Sequence, residues 1–289
     1  MLDIYKSFYN FKEQPFRLSP DSRFSFSHPT YANAKSYLKY AISEGEGLVA
    51  ITGQPGTGKT TLIASLLTEL DKARVQIATL NNIQVDSDNL LNMVLEEFEL
   101  PTGKQDQTNP LSLLKQYLIQ QHKNNRRCIL IVDEAHGLSI TSLEELRLLS
   151  NLQYNNCLLL QVFLLGQEPL MDIIRVPELE QLHQRLIAAT HLEPLGLAET
   201  SAYVEHRLQK VGWDNDPILN KEIMSLIHKF SGGIPRRINL ICHRLFLYGG
   251  LKQKHELVGA DALHVIVELH REGLLVPEID KKLGDYAGV

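Results

Sequence analysis

Gly53-Gln54-Pro55-Gly56-Thr57-Gly58-Lys59-Thr60 satisfies the phosphate-loop pattern G-x-x-x-x-G-K-[ST] at every defined position. The apolar run Gly47-Leu48-Val49-Ala50-Ile51-Thr52 precedes it, and the helix-forming run Thr61-Leu62-Ile63-Ala64-Ser65-Leu66-Leu67 follows. A strand, a glycine loop and a helix in that order separate a working phosphate loop from a chance match. Glycine reaches backbone angles closed to other residues, so successive N–H groups can turn inward around an anion. The helix N-terminus adds partial positive charge at the same spot. Lys59 is expected on the β- and γ-phosphates, the Thr60 hydroxyl on Mg²⁺, and Thr61 beside them in an ATP site.

A second motif, Cys128-Ile129-Leu130-Ile131-Val132-Asp133-Glu134, is a short apolar run closed by two carboxylates. Such a run reads as a buried parallel strand, and its acidic end falls at the sheet edge where α/β folds hold ligands. Asp133 is expected to hold Mg²⁺ through its water shell, and Glu134 to orient and polarise the attacking water as a general base. The continuation Ala135-His136 also spells a helicase signature. No other helicase motif and no second motor domain accompany it, so that reading is set aside.

Strand and helix patterns alternate from here. Strands are expected over 74–80, 157–166 and 187–193, with helices around 87–100, 110–122 and 141–152. The alternation predicts a five-stranded parallel sheet sandwiched by helices. Past Pro194 the pattern turns all-helical, with helices at about 198–211, 217–230, 235–248 and 260–271. The organisation expected is an N-terminal aromatic arm and linker helix over 1–45, a nucleotide-binding domain over 46–194, a helical lid over 195–272, and a loosely ordered tail over 273–289.

Composition bounds the rest. Charged residues at 22% and hydrophobic residues at 44% suit a globular core. The three cysteines are isolated and odd in number, which opposes a disulfide framework or zinc site and suits a reducing compartment. No apolar stretch approaches the roughly 20 residues of a membrane span. The N-terminus lacks the regions of a signal peptide. A net charge of −5 gives no whole-protein attraction to nucleic acid. The expected place is the cytoplasm, reaching the inner membrane only through a protein partner. The arm carries Tyr5, Phe8, Tyr9, Phe11, Phe16, Phe24 and Phe26 beside basic residues. Stacking on single-stranded nucleic acid is one reading; burial on the ATPase core or a neighbouring subunit is preferred.

Three further polar positions narrow the class. Gln167 ends the strand after the Asp133 strand, within reach of the γ-phosphate or attacking water. Arg185 precedes the last strand, from which a guanidinium can leave its own subunit for a neighbour's nucleotide. Gly232-Gly233-Ile234-Pro235-Arg236-Arg237 opens a helix, so Arg236 is expected over the phosphates, with Arg237 the alternative. Singly, each has a plain alternative as a solvated or salt-bridged surface group. Their order along the chain is that of AAA+ ATPases.

The chain resembles, more narrowly, the bacterial ATPases of the general-secretion-pathway protein A type, and most of all their relatives encoded with exosortase and exopolysaccharide-export machinery. The matching stretches include Pro15-Phe16-Arg17-Leu18-Ser19-Pro20-Asp21, Leu143-Glu144-Glu145-Leu146-Arg147-Leu148-Leu149-Ser150-Asn151, Phe163-Leu164-Leu165-Gly166-Gln167, Tyr203-Val204-Glu205-His206-Arg207-Leu208 and the segment from Gly232 to Asn239. Relatives usually read Gly-Gln-Pro-Glu where this chain has Gly166-Gln167-Glu168-Pro169. Longer members add a membrane segment and a peptidoglycan-binding domain, so cell-wall binding does not transfer.

The resemblance implies a ring-like homo-oligomer that hydrolyses ATP with Mg²⁺ and serves assembly or export of a cell-surface product, such as exopolysaccharide or a secretion or pilus apparatus. An inner-membrane component of that system is the partner implied. The alternative is a DNA-bound AAA+ regulator similar to transposon-associated ATPases, and a third reading is a nucleotide-gated scaffold that scarcely turns ATP over. The arm and the residues after Leu251 are the docking candidates, since neither carries nucleotide chemistry.

Overall fold

All six residues of Leu48–Gly53 are buried, because the strand they form lies inside the sheet with helices on both faces. In the computed structural model, residues 4–275 are described apart from 20, 46, 72, 82–86 and 102–108. Helix α1 (Ile4–Phe8) and α2 (Pro29–Glu44) precede β1 (Leu48–Gly53) and α3 (Lys59–Glu69). Then come β2 (Val75–Leu80), α4 (Ser87–Glu97), α5 (Pro110–Lys123), β3 (Arg127–Val132) and α6 (Ile140–Ser150). The hairpin β4 (Gln153–Tyr154) and β5 (Cys157–Leu158) leads to β6 (Leu160–Gly166), α7 (Pro169–Ile174), α8 (Glu180–His183) and β7 (Leu186–Leu192). The remainder is α9 (Leu197–Lys210), β8 (Ile218–Leu219), α10 (Lys221–Ser231), α11 (Pro235–Leu251), β9 (Glu256–Leu257) and α12 (Gly259–Arg271).

The chain divides into two compact units, one of residues 29–55 and 59–192, the other of residues up to 28, 56–58 and 193 onward. The first is the α/β unit. Its sheet has the order β2-β3-β6-β1-β7 with every pair parallel. Side chains alternate between faces along each strand. Leu48, Ala50, Leu130, Val132, Val162 and Leu164 share one apolar cluster with residues of α4, α5 and α6. Val49, Ile51, Ile129, Ile131, Phe163 and Leu165 share the other with α2 and α3. Apolar cover on both faces explains why these strands read as continuous hydrophobic runs.

The apolar run 157–166 was expected as one strand and is two. Asn155 and Asn156 both take left-handed angles, φ 51° and 65°, and form the two-residue tip of the β4–β5 hairpin. Only Leu160–Gly166 joins the main sheet.

The second unit is helical, apart from the short β8–β9 pair. The helix expected from 217 begins at Lys221, because the Asn220 side chain caps it by accepting from the Ile223 N–H at 3.0 Å. The residues before that cap pair with β9 instead. The arm is part of this unit's core, so its rings are buried as expected, here against the helices of its own chain, and its expected role as an exposed docking element is corrected. Tyr5, Tyr9, Phe11, Phe16 and Phe24 are buried with Phe246, Leu245 and Ile241. Arg207, itself 7% exposed, lies between the Phe24 and Tyr203 rings at 5.2 Å from each centroid and donates to the Pro15 carbonyl at 2.7 Å. The residues expected as one segment over 1–45 fall into both units, α2 belonging to the α/β unit. Residues after Leu251 also enter the helical core through Ala262, Val265, Ile266 and Leu269. Of the tail expected over 273–289, residues 276–289 lie outside the described residues.

Candidate nucleotide site

The parallel sheet brings the carboxyl ends of β1, β3 and β6 to one edge, and most of the expected site residues collect there. Gly53 closes β1, and Gly56 and Gly58 have φ of +86° and +104°, angles that favour glycine. A Cβ on Gly58 would meet no atom within 4 Å, so backbone angle rather than crowding explains that glycine. Gly56 is constrained twice, since its Cβ would stand 2.7 Å from Arg236 Cβ. Gly56–Gly58 group with the helical unit, and the Gly56 carbonyl accepts the Arg236 N–H at 3.2 Å. That bond satisfies one of the free N–H groups in the first turn of α11.

Lys59 opens α3 and is buried. Its ammonium donates to the Gly53 carbonyl at 2.9 Å and the Gln54 carbonyl at 3.3 Å. Burial pushes its pKa below the usual lysine range, while Glu134 and Asp133 pull it back. A buried ammonium held by neutral carbonyls is poised for anionic partners. Thr60 Oγ donates to Asp133 Oδ2 at 2.9 Å. The Asp133 N–H continues the β2–β3 ladder to the Leu80 carbonyl at 2.9 Å, and Asp133 Oδ1 accepts the Glu134 N–H at 2.9 Å. A hydroxyl and a carboxylate held in contact form a hard oxygen donor set, which fits Mg²⁺.

Glu134 takes a left-handed conformation, φ 54° and ψ 34°, which turns the chain sharply at the strand end and leaves this residue exposed. Gln167 follows directly after β6. Its N–H donates to His136 Nδ1 at 3.4 Å, and the same nitrogen lies 3.3 Å from Glu134 Oε2. Beside them, Thr52 Oγ meets His191 Nδ1 at 3.0 Å, and His191 Nε2 is 3.8 Å from Glu168 Oε1. His136, Thr52 and His191 were missed by sequence reasoning; the signal for His136 was present in the helicase-like string that was set aside.

Arg185 does not join this group. Its carbonyl accepts the Leu48 N–H at 3.0 Å, at the amino end of β1 and β7. A six-residue strand rises ~20 Å, so Arg185 stands at the far edge of the sheet from its own phosphate loop. Arg236 is exposed in the first turn of α11, while the Arg237 guanidinium folds back toward Gly232, whose Cβ would stand 3.9 Å from Arg237 Nη1.

A phosphate loop after β1, an Asp-Glu pair after β3 and a polar residue after β6, on this strand order, define a P-loop nucleoside triphosphatase of the AAA+ kind. The AAA domain family matches residues 42–174. General secretion pathway protein A of Aeromonas hydrophila is 37% identical over 259 residues, which are 89% of this chain and 47% of that protein. The chain therefore belongs to the AAA ATPases of the general-secretion-pathway protein A type, and it spans about half the length of that relative. Solved structures agree in fold. The Aeropyrum pernix ORC2 protein superposes with TM-score 0.63 at 16% identity, covering 83% of this chain and 66% of that one. Drosophila ORC bound to DNA gives 0.68 at 15% identity, covering 92% and 66%. The Thermotoga maritima RuvB branch migration motor gives 0.59 at 17% identity, covering 94% and 78%. Among the described residues no helix is long and apolar enough to cross a membrane.

Proposed function

We propose that the chain hydrolyses ATP in a Mg²⁺-dependent reaction, as a homo-oligomer that serves assembly or export of a cell-surface product. The observation that carries the chemistry is the gathering of Lys59, Thr60, Asp133, Glu134 and Gln167 at one sheet edge, with Thr60 and Asp133 in contact. Backbone N–H groups of the loop over 53–61, among them those of Gln54, Thr57 and Thr61, cradle the phosphates, Pro55 shapes the turn without donating, and Lys59 leaves its carbonyl partners to neutralise them. Thr60 and Asp133 hold Mg²⁺, which when bound screens the phosphate charge. Glu134 orients the attacking water and accepts its proton, and Gln167 fixes that water or the γ-phosphate. Arg236, whose N–H bonds the Gly56 carbonyl of the loop at 3.2 Å, binds the phosphates. Arg185, remote from its own loop, supplies charge to a neighbour's nucleotide.

The secretion role draws on the likeness to general secretion pathway protein A; exopolysaccharide, a secretion machine or a pilus is the class of product, and an inner-membrane protein the partner. A cytoplasmic location at that partner follows from the same reading. The alternative, a DNA-bound regulator, has only fold-level likeness and opposes a net charge of −5. ATP-dependent binding to random duplex DNA, measured at low and physiological salt, separates the two. Weak binding lost with salt fits the export role; sub-micromolar binding that survives physiological salt refutes it.

A further inference from the structure

One ring nitrogen beside Glu134 has two claimants. His136 Nδ1 lies 3.3 Å from Glu134 Oε2 and 3.4 Å from the Gln167 backbone nitrogen, whose N–H it accepts. These contacts make opposite demands. A carboxylate needs an N–H to accept from, whereas a backbone N–H needs a lone pair, and Nδ1 offers one or the other. The backbone brings the three groups together. The Gly137 N–H bonds the Glu134 carbonyl at 2.9 Å, curling the turn so that ring and carboxylate meet. On the other side Gly166 lets β6 approach the turn, since a Cβ there would stand 3.3 Å from the His136 backbone nitrogen and 2.8 Å from Leu170 Cδ2. The ring keeps room to act, being 23% exposed.

We propose that His136 is a positioning residue that couples Glu134 to Gln167 through the tautomer of its ring. With the proton on Nδ1, the ring holds the Glu134 carboxylate against the turn. With the proton on Nε2, Nδ1 holds the Gln167 N–H, and Glu134 is released to orient the attacking water. The two forms are tautomers that differ only in which nitrogen carries the proton, one nitrogen yielding a proton to water as the other takes one from it, so the exchange leaves the charge of the site unchanged. The turn after β3 and the end of β6 thereby become one two-state element, in which Glu134 is freed as Gln167 is fixed. This inference rests on the reading of Glu134 as the base.

The test compares steady-state ATP hydrolysis by His136→Ala, His136→Asn, His136→Gln, Glu134→Gln and the double variant Glu134→Gln/His136→Ala, all in the full chain. The bond His136 makes in the active form is the one from the neutral Gln167 N–H, worth a factor of about 3 to 10, so His136→Ala should lower kcat by about that factor with KM changed less than about threefold. Asparagine places its amide near the Nδ1 position and glutamine places it near Nε2, so His136→Asn should recover more of kcat than His136→Gln. In the Glu134→Gln background, His136→Ala should cost nothing further, because it acts through the group already removed. The inference is overturned by a kcat for His136→Ala within about twofold of the parent, by a loss in KM alone, by equal rates for the asparagine and glutamine variants, or by losses that multiply in the double variant. Unchanged turnover in Glu134→Gln overturns the parent reading and this one with it. A slow Glu134→Gln beside an unaffected His136→Ala overturns this one alone.

Discussion

Two adjacent glycines, equal in sequence and nearly equal in backbone angle, should differ sharply in their tolerance of a methyl group. Gly232 and Gly233 have φ of +63° and +72°, so alanine at either position incurs the left-handed penalty of ~1–2 kcal/mol. At Gly232 that is nearly the whole cost, since the nearest atom to a new Cβ is Arg237 Nη1 at 3.9 Å. At Gly233 the Cβ would stand 2.0 Å from the Leu195 carbonyl oxygen, well inside contact distance, and backbone must move. The movement breaks the bond from the Leu195 N–H to the Gly233 carbonyl, 2.9 Å long, worth ~1 kcal/mol. Gly233→Ala should therefore lose about 3 kcal/mol or more, and Gly232→Ala about half that. The chain's single tryptophan reports on this unit: Trp213 packs against the helical core and donates to the Pro217 carbonyl at 3.1 Å. With an m-value of about 1.5 kcal/mol/M, the urea midpoint read by Trp213 fluorescence should fall about 1 M for Gly232→Ala and about 2 M for Gly233→Ala. Equal midpoints for the two variants would refute the close approach of Gly233 to Leu195.

Lys59→Ala should abolish tight ATP binding, measured by a fluorescent nucleotide, because the loop loses its mobile cation; retained affinity removes Lys59 from the site. Native protein should show one fast thiol with a disulfide reagent, Cys157, which is exposed, while Cys128 and Cys242 are buried; three equal rates contradict this. Burial pushes the Cys128 thiol up to about 12, so its contribution to stability is whole below the ordinary thiol range, is lost as pH climbs from there toward about 12, and should leave a flatter alkaline stability curve in Cys128→Ala. Mixing Arg185→Ala with Glu134→Gln, each inactive alone, should restore part of the ATPase activity if Arg185 acts in trans; hetero-oligomers without activity would refute that role.

The nucleotide edge was legible because its chemistry is written in contiguous strings. The glycines, Lys59 and Thr60 lie within one loop, and Asp133 and Glu134 end one apolar run, so spacing alone fixes their relation. The hairpin at Asn155-Asn156 was legible in principle, since paired asparagines favour the left-handed angles of such a tip, but the apolar residues around it masked the break. The helix expected from 217 starts at Lys221, because an asparagine such as Asn220 suits a turn as well as a helix cap and does not mark the boundary by itself. The burial of the arm was legible in its rings, but the surface they cover was not. Its rings at 5, 9, 11, 16 and 24 follow no helix or strand period, and its anchor Arg207 bonds Pro15 across 192 residues of sequence. His136 fell between the two cases, since its residue was seen, but its pairing with Gln167 depends on how β3 and β6 sit side by side.

The central claim is that Glu134 at the carboxyl end of β3 drives ATP hydrolysis in a site assembled around Lys59, Thr60 and Asp133. The most direct test measures steady-state phosphate release and nucleotide affinity together, in the parent chain and in Glu134→Gln. An amide cannot take the proton of the attacking water, so turnover should fall by a factor of roughly 10² to 10⁴, while ATP affinity stays within about threefold and remains Mg²⁺-dependent. Turnover equal to the parent's, with ATP bound as before, would contradict the account.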